Sequence, residues 1–315
     1  MTFLDWFIVG SYMLGLVGLG IYLNASQETP RDYFLAGQSM SWWQTGSSTM
    51  ATQLSAVSFV SAPAFVALKE DGGLRWLAYE FAVPLSLIVV MAVIIPVLHR
   101  GGYISMHEYL SDRFDDETRT LVSGVFLVMR GLSSGVIVYA GAKVLAVTLP
   151  FGIPESVLII GVVTIVYDVL GGIGVVIISD VIQMALIVAG LIFCGFTAVE
   201  MIGLETALGS MKPERTRILF IDEFGVSADS RYGFWPFLIG GFFLYVSYYG
   251  CDQSQVQREM AVENEDEVRK SLLFNAFGRF PIVLIYCMVG IMVGAVFLTS
   301  PELVALGLEI SEKSL

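Results

Sequence analysis

About eight apolar runs, each near the ~20 residues that a helix needs to cross a hydrocarbon core, occupy most of this chain. They lie at 3–23, 43–67, 77–97, 121–147, 156–178, 181–200, 234–250 and 272–298. With 56% hydrophobic and only 15% charged residues over 315 positions, no stretch is left for a soluble catalytic domain. The expectation is an all-α, multi-pass protein of the plasma membrane or a bacterial inner membrane. The first run has no basic leader, starts beside Asp5 and precedes no small-residue cleavage pattern, so it reads as a retained helix. Short-loop Lys and Arg favour an outside N-terminus by a narrow margin.

The net charge of −12 sits in loops, chiefly 112–117, 222–229 and 263–267, and no Lys/Arg cluster points to nucleic acid. Cys194, Cys251 and Cys287 follow no pairing pattern and read as packed thiols. His99 and His107 are the only histidines, and His107-Glu108 lacks the second histidine of a zinc hydrolase. Gly171-Gly172-x-Gly174 lacks the strand that a dinucleotide loop needs. No covalent chemistry, no catalytic residue and no cofactor is expected.

Two of the apolar runs are interrupted. The run at 42–68 has a polar centre, Ser47-Ser48-Thr49-Met50-Ala51-Thr52-Gln53-Leu54-Ser55-Ala56-Val57-Ser58. The run at 234–255 passes through Gly240-Gly241 and ends in Tyr248-Tyr249-Gly250-Cys251-Asp252-Gln253. Unsatisfied backbone in hydrocarbon costs several kcal/mol per group, so broken helices persist only around a protein-lined cavity. Breaks at matching places in two halves point to a transporter's central site. Spans two to six form one set of five, and span seven opens a second set. Segment 251–271 is charged and helical in pattern, and loop 201–233 is polar with short helical pieces expected.

The carbonyls of Ala51 and Leu54, three positions apart, can open to one side of the first break and suit a sodium ion, with Ser55 and Ser58 nearby. The competing reading is a small-residue face for close helix packing. Asp180, at the membrane edge of span six, is either a functional ionisable group or an N-cap carboxylate. Asp168 is expected to pair with Arg130 or Lys143, or to serve a coupling ion. Glu80 is a further intramembrane carboxylate, close enough to the interface to reach water. Tyr245, Tyr248 and Tyr249 could close over a solute or belong to an interfacial belt.

The residues match a family in order along the chain. The matches begin with Asp32-Tyr33-Phe34-Leu35-Ala36-Gly37, Ala51-Thr52-Gln53-Leu54-Ser55-Ala56 and Ser134-Gly135-Val136-Ile137-Val138-Tyr139. They continue with Gly171-Gly172-Ile173, Ser179-Asp180-Val181-Ile182-Gln183, Tyr249-Gly250-Cys251-Asp252-Gln253 and Val256-Gln257-Arg258. Together they resemble the sodium/solute symporters, which have a leucine-transporter-type fold. The resemblance implies two inverted five-helix repeats after an extra first helix. It implies that Ala51 and Leu54 give carbonyls to the main sodium site, and that Asp180 matches an acidic residue linked to a second sodium in the sialic acid symporters. Ser55 and Ser58 match solute-facing positions, Tyr248 the aromatic gate of the sugar symporters, and Glu80 their sugar-binding glutamate. Ser58 stands where sugar symporters carry glutamine, Asp168 has no counterpart, and the arginine that holds sialic acid's carboxylate falls at Ser133, three residues from Arg130. The hydroxyl-rich helix that completes the main sodium site has no match before Leu315, so the second repeat is expected to be incomplete at its C-terminal end.

The expected organisation is one transmembrane transporter domain over 1–315, with an extra helix at 3–23, a first five-helix repeat at 42–200 and a partial second repeat at 234–298. The expected function is sodium-coupled symport of a small polar organic solute by alternating access. Sodium is assigned to Ala51, Leu54 and Asp180, and the solute to Gln53, Ser55, Ser58, Glu80, Tyr245 and Tyr248. The alternatives are a non-transporting fragment of such a symporter, a channel and a polytopic membrane enzyme.

Overall fold

The architecture follows from where the apolar runs can and cannot stay helical. A computed structural model describes residues 3–24, 29–54, 56–69, 71–209, 213–225 and 232–299; Ser55, one of the expected solute contacts, lies outside them. The helices are α1 (Phe3–Asn24), α2 (Pro30–Leu35), α3 (Trp42–Gln53), α4 (Ala56–Ala67), α5 (Ala82–Val89), α6 (Ile95–Gly101) and α7 (Met106–Arg113). They continue as α8 (Asp116–Thr148), α9 (Ile153–Ile202), α10 (Leu204–Gly209), α11 (Pro213–Thr216), α12 (Phe234–Cys251), α13 (Gln253–Glu259) and α14 (Glu265–Thr299). Six spans are long and apolar enough to cross a membrane, and α3 with α4 forms a broken seventh.

Local chemistry sets the ends. Thr29 and Asp32 form a capping box with Pro30 at the first helical position of α2. Ser41 and Gln44 do the same for α3, and Asp115 caps α8 by accepting from the Thr118 amide at 2.6 Å. The helix α3 stops at Gln53 because Leu54 leaves helical geometry at φ −91°, ψ 63°. The third span is irregular: a 3-10 stretch (Leu74–Phe81), α5, a π segment (Val90–Ile94) and α6.

The longest helix is bent. Fifty helical residues would reach about 75 Å, more than twice the ~30 Å hydrocarbon core. Gly172, at φ 60° and ψ −161°, breaks helical geometry inside α9, within the expected run 156–178, and this one element covers both expected spans five and six. The turn needs glycine twice over, since a Cβ there would lie 2.6 Å from the Tyr33 carbonyl oxygen. One consequence corrects the expectation for Asp180. The second half of α9 is already helical at Ser179-Asp180, so the carboxylate lies within a helix and does not cap one.

The chain divides into two compact units, the first comprising Met1–Val57, Met91–Gln183 and Tyr248–Leu272, the second Ser58–Val90, Met184–Ser247 and Leu273–Leu315. In the first unit, Leu35, Leu98, Val256 and Met260 form one buried cluster, and Ile173, Ile177 and Ala261 another. Tyr33 ties the unit together, donating from its hydroxyl to the carbonyls of Asp168 and Val169, each at 3.3 Å. In the second unit, α14 packs closely on α4: a Cβ at Gly290 would lie 2.8 Å from Pro63 Cα. Arg215 donates to the Val66 and Lys69 carbonyls at 2.9 Å each and so satisfies the C-terminal end of α4.

The glycine pair of span seven is not a break. The helix α12 runs through Gly240-Gly241, and Gly241 serves close packing, since a Cβ there would lie 2.8 Å from Ala82 Cβ. The chain leaves helical geometry at Asp252, which caps α13 by accepting from the Ser254 amide. The most apolar 18-residue window of α8 has none of its residues buried, as hydrocarbon contact allows.

Candidate functional site

The first unit holds a buried polar cluster around α3. Successive residues Ser48 and Thr49 are fully buried and hydroxylated, and they reach two different carboxyl groups. Ser48 Oγ donates to Asp180 Oδ2 at 2.6 Å, and Thr49 Oγ1 donates to Glu259 Oε1 at 2.7 Å. Arg258 completes the first pair, with Nη2 at 3.1 Å from Asp180 Oδ2 and Nε donating to Ser48 Oγ at 2.8 Å. Asp180 on α9 and Arg258 on α13 are both largely buried, at 14% and 10% side-chain exposure, so each charge depends on the other. Ala51 and Leu54 are buried at the end of the same helix. A helix ending at Gln53 has its final carbonyls turned out of the hydrogen-bond ladder, and the helix dipole places negative charge there. Oxygen atoms without a fixed cation are what a sodium ion can use.

The approach to this cluster along α12 and α13 is also bonded. Gln255 Nε2 donates to the Tyr248 hydroxyl oxygen at 2.9 Å. Arg130 on α8 lies 3.6 Å from Asp252, not against Asp168. The expected Asp168 pair with Arg130 is therefore replaced by an α8–Asp252 ion pair, and Lys143 lies instead over the Tyr139 ring at 5.2 Å. The partner that sequence offered to Asp168 was spent on a helix cap.

The second unit holds a separate polar cluster. Arg279 Nε donates to Glu80 Oε2 at 2.6 Å, and Nη2 donates to Glu80 Oε1 at 3.2 Å and to the Tyr245 hydroxyl at 2.7 Å. Glu80, Tyr245 and Arg279 are 3%, 4% and 8% exposed. Two parallel bonds between guanidinium and carboxylate fix both planes. The Tyr79 ring packs on Tyr245 at 5.2 Å between centroids. Glu80 is thus buried and paired, where the sequence had it within reach of water. Ser58 belongs to this unit and is half-buried, and Gln53 belongs to the first unit and is half-buried.

Sequence reasoning missed five members of these clusters: Ser48, Thr49, Arg258, Glu259 and Arg279. Arg258 and Glu259 were read as part of a charged, helical segment, yet both are buried, as is Gln255. Arg279 carried a usable signal, being a lone cation in an apolar run; the rule that singled out Glu80 applies equally to it.

Bent spans, a helix break inside an apolar run and buried ionisable side chains define a multi-pass membrane protein of the inverted-repeat transporter class. The model of the sodium:solute symporter family matches residues 33–313. The chain belongs to the sodium:solute symporter family. It is 28% identical to the human sodium/iodide cotransporter over 306 residues, covering 96% of this chain and 47% of that protein. It is 30% identical to the human sodium-coupled monocarboxylate transporter 1 over 287 residues, covering 90% and 46%. With the sodium/glucose cotransporter of Vibrio parahaemolyticus it shares 26% identity over 330 residues, covering 97% and 58%. The chain thus spans about half the length of the curated relatives it matches. Its fold is similar to that of a Na+-coupled sialic acid symporter, whose structure was solved in a substrate-bound outward-open state, at a TM-score of 0.85 and 22% identity, covering 96% of this chain and 63% of that one.

Proposed function

We propose that this chain serves sodium-coupled symport of a small polar organic solute by alternating access, as one transporter domain with α1 outside the repeats. The observation that carries the reading is the break of the first broken span at Leu54, in a chain of this family. Carbonyls of Ala51 and Leu54 hold one sodium ion at the negative end of the α3 dipole. Asp180 serves a second cation position, where sodium competes with the Arg258 guanidinium for the carboxylate.

The buried Glu80–Arg279–Tyr245 cluster supports a solute contact in the second unit, with Ser58 on α4. Gln53, Ser55 and Tyr248 are the contacts proposed from the first. Sodium drives transport only by favouring one of the two access states over the other, so its ligands must change between them. A broken helix, whose ladder is already open, can do this at less cost than a continuous one.

The test is uptake into proteoliposomes bearing the native protein, with iodide, a monocarboxylate, a hexose and sialic acid as candidate solutes. The expected result is saturable uptake of one of them that collapses when the sodium gradient is dissipated. Ser58→Leu should abolish it while membrane insertion continues. Uptake indifferent to sodium would refute the reading.

A further inference from the structure

Glu259 ends α13 with its side chain fully buried. Its Oε1 accepts from Thr49, but Oε2 has no hydrogen-bond partner. The Ser271 hydroxyl on α14 faces the same carboxyl, close enough to act on its charge, and its Oγ is likewise buried without a partner. The nearest cation is next in sequence, yet Arg258 directs its hydrogen bonds to Asp180, to Ser48 and to the Ser254 carbonyl. The guanidinium neutralises Asp180, and an ionised Glu259 would be a second buried negative charge held by hydroxyls alone.

The cations on the elements around it are turned elsewhere: on α14, Arg269 pairs with Glu265 and Asp266 and Lys270 with Glu267, and neither these nor Arg31 on α2 or Arg113 on α7 act on the Glu259 carboxyl. The helix α3 presents Thr49 and carries no ionisable residue. On α2, Asp32 is turned back on Thr29. On α7, Glu108 accepts from the Ile104 amide, Asp112 from Tyr103, and His107 packs against Phe126. The charge that acts on the Glu259 carboxyl is that of Arg258.

One proton resolves the arrangement. Placed on Oε2, it removes the uncompensated buried charge and gives that oxygen a hydrogen to share with the Ser271 hydroxyl beside it. We propose that Glu259 is a proton-binding site, distinct from the Asp180 position, that is loaded while α3, α13 and α14 are packed as here and empties when water reaches Oε2. Burial, opposed by the Thr49 and Ser271 hydroxyls and by Arg258, pushes this carboxyl up to about 7. Parting α3 from α13 would return it towards its ordinary 4.5 and release the proton at neutral pH. Thr49 adjoins Ser48, so any movement of α3 that disturbs the Asp180–Arg258 pair also disturbs the proton. The assignment stands on this packing, whatever solute is carried.

The test is pH-titrated infrared difference spectroscopy on the membrane-embedded protein, native and as Glu259→Gln. The expected result is a protonated-carboxyl band that is absent from Glu259→Gln and titrates with a midpoint near about 7. In Thr49→Val the band should move to higher frequency, because Oε1 loses its donor. The proposal is overturned if Glu259→Gln removes no such band, if the band titrates near 4.5, if Thr49→Val leaves it in place, or if sodium at fixed pH abolishes it and so marks a sodium site instead.

Discussion

Four largely buried charged side chains stand in two pairs: Asp180 with Arg258, and Glu80 with Arg279. A buried pair is weak evidence for net stability, but removing one partner strands the other. Arg279→Met should therefore destabilise the protein by about 3–5 kcal/mol, and the double change with Glu80→Leu should recover most of that loss. A double-mutant cycle on thermal unfolding in detergent checks it; additive losses would contradict the pairing. Asp180→Asn keeps a hydrogen-bond acceptor for Ser48 but strands the Arg258 guanidinium, so it should lower the unfolding temperature and weaken sodium activation together. The two carboxylates were legible in the sequence because an ionisable residue in an apolar run is costly. Their partners were not. The pairings join residues 78 and 199 positions apart, and only the fold decides them.

At the scale of elements, glycine carries two different meanings, and sequence separates them poorly. Gly171-Gly172 marks a true turn, set inside the expected run 156–178 rather than between it and the next. Gly240-Gly241 has the same composition but lies in unbroken helix, where the absent side chain admits Ala82. The difference is backbone geometry, which composition does not express. Gly172 holds φ 60° and ψ −161°, a region open to glycine almost alone. Gly172→Ala should destabilise by roughly 1–3 kcal/mol, whereas Gly161→Ala in the same helix should be neutral or stabilising by up to ~1 kcal/mol. No atom lies within 4 Å of a Cβ at Gly161, so it controls for the added methyl. Equal shifts in unfolding temperature would show that the Gly172 turn is not a constraint. The break after Gln53 was legible from its polar centre, and there the sequence and the observed geometry at Leu54 agree.

At the scale of the whole molecule, the class of protein was legible from apolar run lengths alone, because bilayer thickness leaves few alternatives. The buried polar interior was less so: segment 251–271 has the composition of a solvated surface, yet Gln255, Arg258, Glu259 and Ser271 are buried. Burial of Glu259 has a thermodynamic consequence. The folded state keeps a proton that the unfolded chain releases near 4.5, and gives it up only near about 7. This contribution to stability is fully present below 4.5 and is lost as pH rises through about 7. The loss should approach ~3 kcal/mol across that window and should be absent in Glu259→Gln. Unfolding temperatures of the two proteins, compared as pH rises, check the sign.

The central claim is that the break beside Leu54, with Asp180, binds sodium. A ligand that binds only the folded state raises stability by mass action. The direct measurement is the unfolding temperature of the detergent-solubilised protein titrated with sodium against potassium at constant ionic strength. The account predicts a saturable rise in sodium alone, blunted in Asp180→Asn. Identical unfolding temperatures in the two salts would contradict it.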